Sequence, residues 1–152
     1  MISLNLPPRI KVLEAVSAVA RGRVKKSDGA FKVRASAGSR EYTVILNDAY
    51  VYSDDNGTLR RGYVGYPIIA AMIAEGTIRG FPELGEALKD LPWAELNARM
   101  ASYRKVESYA KGVAKKAGIG GEAVDNYIAE VLAAISARRL KFKDMRQSTL
   151  TP

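Results

Sequence analysis

Four groups of side chains in this sequence have the types and spacing to do chemistry, and each has a plainer structural reading. The first is Asp54-Asp55-Asn56-Gly57. Carboxylate oxygens beside a glycine turn are what Ca²⁺ and Mg²⁺ sites use. A twelve-residue calcium loop needs a terminal Glu, however, and Leu59-Arg60-Arg61 follows instead. Asn-Gly is also the strongest short hairpin signal. The sequence therefore predicts a hairpin turn there, and no metal site. The second group is Arg60-Arg61-Gly62-Tyr63-Val64-Gly65-Tyr66. Arginines can contact phosphates while Tyr63 and Tyr66 stack on bases. The alternative puts both tyrosines in the core and pairs Arg60 and Arg61 with Asp54 and Asp55.

The third group is the densest: Arg21, Arg23, Lys25, Lys26, Lys32, Arg34 and Arg40. Lys32 and Arg34 alternate with Phe31 and Val33, so a strand would put the two cations on one face and the apolar pair on the other. A cationic strand face can lie along a phosphate backbone. Edge protection is the alternative, because Lys and Arg on exposed strands discourage sheet-to-sheet pairing. The seven cations between positions 21 and 40 tip the reading toward binding. The fourth group, Lys111, Lys115, Lys116 and then Arg138, Arg139, Lys141 and Lys143, falls at the ends of two helices. There the helix dipole accounts for it.

Several chemistries are excluded outright. The 152 residues contain no Cys and no His. Disulfides, thiolate nucleophiles, His-based triads and Cys/His zinc sites are therefore impossible. A general base would have to be Asp, Glu, Lys or Tyr. Asp54 and Asp55 are the only candidate pair, and neighbours on a turn point apart. The expectation is a protein that is not an enzyme and needs no cofactor. Net charge is +8, distributed as +6 over 1–47, −3 over 48–100 and +5 over 101–152. Such a balance favours nucleic acid or an acidic protein as partner. A second copy of the chain is a further candidate. The first eight residues have no basic segment and too short an apolar one for a secretory signal, and no apolar run reaches membrane-spanning length. The expectation is a cytoplasmic protein that does not enter membranes.

The elements that must position these groups follow from periodicity. Pro7-Pro8 opens a helix whose stripe is Ile10, Leu13, Val16 and Ala20. Ser17 interrupts the stripe and is expected to bond back to a carbonyl one turn earlier. Alternating residues then give strands over 31–36, 40–47 and around Tyr50 and Tyr52, with a fourth over 23–26 or 59–64. Pro67 starts a helix that is apolar all round and belongs in the core. A short helix over 83–89 precedes a long one beginning near Asp90. Its apolar face runs from Trp93 through Leu96, Met100, Tyr103, Val106, Ala110 and Val113 to Ala117. Gly118-Ile119-Gly120-Gly121 breaks the chain, and a last helix over 122–140 returns antiparallel. The polar tail from Lys141 is expected to fray.

The stretch 21–74 resembles the SWIM zinc-finger module. Gly22-Arg23-Val24 matches its basic entry. Phe31-Lys32-Val33-Arg34-Ala35-Ser36 and Glu41-Tyr42-Thr43-Val44 match its two strands, and Tyr66-Pro67-Ile68-Ile69-Ala70-Ala71 its closing helix. That family's Cys-x-Cys pair falls near Val51 and Ser53 here, and its Cys-x-His pair on Gly65 and Pro67. None of these four can bind zinc as the family's ligands do. The resemblance thus implies a metal-free ββα unit that binds DNA or protein.

The sequence as a whole predicts an α+β fold. It has an N-terminal helix, a three- to four-stranded antiparallel meander, an apolar core helix and a C-terminal antiparallel helical hairpin. Residues 1–76 form the meander unit, and 77–152 the hairpin packed on it, joined near 77–82 as one fold. The expected function is binding of nucleic-acid phosphates through the cationic sheet face. The alternative is a protein–protein adaptor or complex subunit without catalytic activity, docking through the hairpin or the tyrosine-rich loop.

Overall fold

The computed structural model describes residues 2–146 and is α+β. Its elements run β1 (Ile2–Ser3), α1 (Ile10–Ala20), β2 (Val24–Ser27), β3 (Ala30–Arg34), β4 (Glu41–Asn47), β5 (Tyr50–Ser53), α2 (Asn56–Arg61), α3 (Tyr66–Glu75), α4 (Pro82–Leu88), α5 (Trp93–Met100), α6 (Tyr103–Lys116), α7 (Gly121–Arg138) and β6 (Lys141–Phe142). The strands form a mixed sheet in the order β1-β6-β5-β4-β3-β2.

The four-stranded antiparallel meander β2 to β5 is built as the alternation predicts. Asp28 and Gly29 both take positive φ, the pairing a tight two-residue hairpin needs, and they join β2 to β3. Register puts Phe31 opposite Val44 and Val33 opposite Tyr42. Phe31, Val33 and Val44 are buried. The face carrying Lys32 and Arg34 therefore looks away from the core.

The sheet also has members the sequence reading did not include. The segment from Lys141 does not fray over its described part. Lys141–Phe142 adds a strand parallel to β5, and β1 pairs antiparallel to that strand. Lys143 Nζ lies over the Tyr50 ring, Arg146 over the Tyr52 ring, and Met145 is 7% exposed. Parallel pairing between segments about ninety residues apart leaves no local pattern to read. The remainder of that tail, 147–152, lies outside the described residues.

Helix α1 is buried nearly all round rather than along one stripe: Val12 through Ala18 are all buried. It packs against both α3 and α4. Gly85 lets α4 approach closely, since a Cβ there would meet the Val16 carbonyl oxygen at 2.6 Å. Helix α3 is apolar and buried as expected, opening on Pro67 and closing at Gly76. Two other expectations are corrected. Asn56-Gly57 is not a hairpin turn but the first turn of α2. The Asp55 side chain caps that helix by accepting from Thr58 N. A good N-cap outcompetes a turn signal here because it satisfies a backbone donor that water no longer reaches. The long helix from Asp90 is two helices. Ala101 takes φ +57°, and Ser102 caps α6 by accepting from Lys105 N. Helices α6 and α7 then form the expected hairpin across 118–120.

Buried residues from 1–76 and 77–152 belong to one cluster, in which Val16 and Ile68 sit with Leu84, Trp93, Val106 and Ile128. Among the described residues no helix is long and apolar enough to cross a membrane.

Candidate functional site

Five of the expected phosphate-contacting residues come together. Arg21, Arg23, Lys25, Lys32 and Arg34 line one groove of about 470 Å³, where the chain leaves α1 and crosses β2 and β3. The β3–β4 turn supplies its far wall through Ala35, Ser36 and Gly38, and Glu41 is the one carboxylate among the lining residues. The register explains the gathering. Lys25 stands directly opposite Lys32, and partners across an antiparallel ladder share a face. One rung along, Arg34 N donates to the Arg23 carbonyl, and Arg23 Nη1 donates back to the Arg34 carbonyl at 2.6 Å.

The groove's charge is poorly compensated. Arg21 meets Asp90 at 3.6 Å with both side chains well exposed, a geometry of little energetic weight. Among the described residues, Arg23, Lys25, Lys26, Lys32, Arg34, Arg40, Arg60 and Arg61 form no ion pair. Lys32 Nζ donates to Thr43 Oγ1 at 2.8 Å. Some cations elsewhere are paired. Arg9 reaches Glu107 and Asp125, Lys111 reaches Asp125 and Glu107, and Arg79 reaches Glu130. Those partners act on each other's protons. Lys111 and Arg9 hold the Asp125 carboxyl below its ordinary range, and Arg79 does the same for Glu130.

The other expected residues lie apart from the groove lining. Lys26, on the register face shared with Phe31, holds its Nζ 5.7 Å from the centre of that ring. Arg40 sits 5.2 Å from the centre of the Tyr42 ring. Arg60 and Arg61 are exposed on the last turn of α2, where they suit the helix dipole. Asp55 is occupied as the α2 cap and also accepts from the hydroxyls of Ser53 and Thr58. Asp54 accepts from Thr43 N. Neither carboxylate pairs with Arg60 or Arg61, so that expected alternative is corrected. No group of three or more metal-ligating side chains occurs among the described residues.

Tyr63 and Tyr66 are not among the groove's lining residues, although Tyr66 lies near Arg23. Tyr66 meets Tyr42 edge to face, with ring centres 6.2 Å apart. Burial raises the Tyr66 phenol well above its ordinary value, against the pull of nearby Arg23. Burial also raises Tyr63, with Lys11 opposing and Tyr103 reinforcing the rise. Both rings are partly packed.

One constellation went unread in the sequence. Glu14 is 4% exposed on α1. Lys11 Nζ reaches it at 3.2 Å and Asn97 Nδ2 at 3.3 Å. Burial raises the Glu14 carboxyl although Lys11 draws it down. The Lys11–Glu14 spacing of three within an apolar helix was the available signal, because such a pair meets on one face. The contact with Asn97 of α5 joins residues 83 positions apart, and only the tertiary structure brings it to the pair.

A family model described as uncharacterised conserved protein UCP014422 matches residues 4–141. No curated protein and no solved structure matches the chain.

Proposed function

We propose, for a chain that belongs to the uncharacterised conserved protein family UCP014422, that it binds nucleic acid through its phosphates and has no catalytic role. One observation carries this reading: five cations line one groove beside a single carboxylate, Glu41, and among the described residues Arg23, Lys25, Lys32 and Arg34 form no ion pair. Unpaired charge gathered in a concave surface raises the local concentration of anions. Phosphate contacts of this kind set position without reading sequence. Arg23, Lys25, Lys32 and Arg34 are the central contacts, with Arg21 at one end. Lys26, Arg40, Arg60 and Arg61 lie outside the groove lining and add long-range attraction. Tyr63 and Tyr66 lie outside the groove lining and are half-buried, so they would stack only on bases that extend beyond the groove. A cytoplasmic setting, where nucleic acid is at hand, fits this function.

The likeness to a metal-free SWIM-like unit fits the same reading. Ser53 and Gly65, two positions where that family holds metal ligands, are tied through Asp55 and Thr58. Ser53 Oγ donates to Asp55, Thr58 Oγ1 donates to Asp55 at 2.8 Å, and Gly65 N donates to Thr58 Oγ1 at 3.2 Å. A hydrogen-bonded tie of this sort offers a substitute for the folding energy of a metal.

The test is equilibrium binding of DNA and RNA between roughly 50 and 200 mM salt, the range over which phosphate contacts weaken steeply. The expected result is a negative slope of log affinity against log salt, and tenfold or greater loss on reversing charge at Lys32 and Arg34 together. No binding at the low-salt end would sink the reading. It would turn attention to a protein partner of α6 and α7.

A further inference from the structure

We infer that the groove takes consecutive phosphates of a single nucleic-acid strand laid across the β2–β3 ladder, with Lys25 and Lys32 as the central clasp. This rests on the nucleic-acid reading above and adds the strand class.

Lys25 and Lys32 are register partners. Side chains so placed have Cβ atoms about 4.5–5.5 Å apart, and like charges directly opposite destabilise a sheet. Lys32 donates to Thr43 Oγ1, but neither amine meets a carboxylate among the described residues, so the like charges are not neutralised. Edge protection accounts for Lys25, because β2 is the edge strand. It does not account for Lys32, because β3 is paired on both sides. A local rule broken without a compensating charge points to a function. An anion between the two amines removes the conflict.

The next rung repeats the arrangement with Arg23 and Arg34. Two residues along a strand span about 6.6–6.8 Å, a separation comparable to that between neighbouring phosphates of one nucleic-acid strand. One free phosphate can occupy one rung; a strand can occupy both. Lys32 is only partly exposed, with its amine anchored on Thr43. A flexible single strand can descend to it. A duplex, too broad for a groove of about 470 Å³, meets only the exposed rim cations such as Arg21 and Arg34. Glu41, the register partner of Arg34, repels phosphate on the β4 side and so marks where the track ends.

The experiment titrates the full chain with fluorescent oligothymidylates of two to sixteen nucleotides. A duplex of matched length and inorganic phosphate serve as comparisons, and Lys25→Glu and Lys25→Gln are the variants. Expected are single-strand binding at least tenfold tighter than duplex binding, and affinity far above that for inorganic phosphate. Each lysine variant should lower the salt slope by about 0.7, the value for one lost phosphate contact on single strands. Lys25→Glu should also raise the melting temperature, since it turns a like-charge pair into an ion pair. Equal or tighter duplex binding would overturn the inference while leaving nucleic-acid binding intact. So would unchanged affinity in a Lys25→Glu protein that melts at or above the parent's temperature. Absence of binding to every oligonucleotide at 50 mM salt would instead remove the parent reading.

Discussion

Ser17 shows how much a single side chain depends on what the chain brings to it. It interrupts the apolar stripe of α1, and its expected partner was a carbonyl one turn back. Instead its hydroxyl donates to the Leu88 carbonyl and accepts from Trp93 Nε1, each at 2.9 Å. The small hydroxyl is therefore a bridge from α1 to the end of α4 and the start of α5. Ser17→Ala should cost about 1–3 kcal/mol in urea unfolding, because it leaves a buried indole N–H without an acceptor. A cost below about 0.5 kcal/mol, the range of inert surface changes, would mean that the bridge contributes nothing. The groove cations are the opposite case. Lys32 and Arg34 could be assigned to one outward face from alternation alone, because a strand's period of two is local. That Lys25 lies opposite Lys32 follows from the Asp28-Gly29 turn, which is also local. Their lack of ion pairs was not legible, because even Glu41, close in sequence and the register partner of Arg34, forms none with them.

At the level of elements, periodicity found the meander, α1, α3, α4 and the α6–α7 hairpin. It failed where a competing signal was carried by one or two residues. The apolar spacing runs unbroken from Trp93 to Ala117, yet the chain stops at Met100 and restarts at Tyr103. Ser102 as a cap is the residue that tells the two apart. Ala101 bears the strain, at φ +57°, a conformation that costs an L-residue roughly 1–2 kcal/mol and glycine little. Ala101→Gly should therefore stabilise the protein by up to about 1 kcal/mol. In an unbroken helix the same change would destabilise by a similar amount. The sign of the shift in thermal unfolding decides between the two. Helix α2 makes the same point: Asp55 reads as a turn residue beside Asn-Gly and as a cap once its carboxylate is sealed from water.

At the scale of the whole molecule, the buried residues of 1–76 and 77–152 share one cluster, and polar ties cross between them. Tyr127 Oη donates to the Arg79 carbonyl at 2.8 Å, and Arg138 donates to the Thr77 carbonyl at 3.2 Å, so α7 grips the segment joining the two halves. Unfolding should be a single cooperative event. The one tryptophan, Trp93, reports on the contact between the halves, where its indole donates to Ser17, and far-ultraviolet circular dichroism reports on all elements. Their urea midpoints should coincide, and separate midpoints would divide the chain into two independently folding units. The sequence alone determined the α+β class, the antiparallel meander, the core helix and the outward cationic face, because each follows from contacts between residues close along the chain. Tertiary structure decided the rest. It placed β6 beside β5, brought Asn97 to the buried Glu14, ended α5 at Met100, set Trp93 on Ser17, and left Arg23, Lys25, Lys32 and Arg34 without ion pairs. These outcomes depend on which distant surfaces meet and lose water together, and a periodic pattern in one segment holds no information about the surface that will cover it.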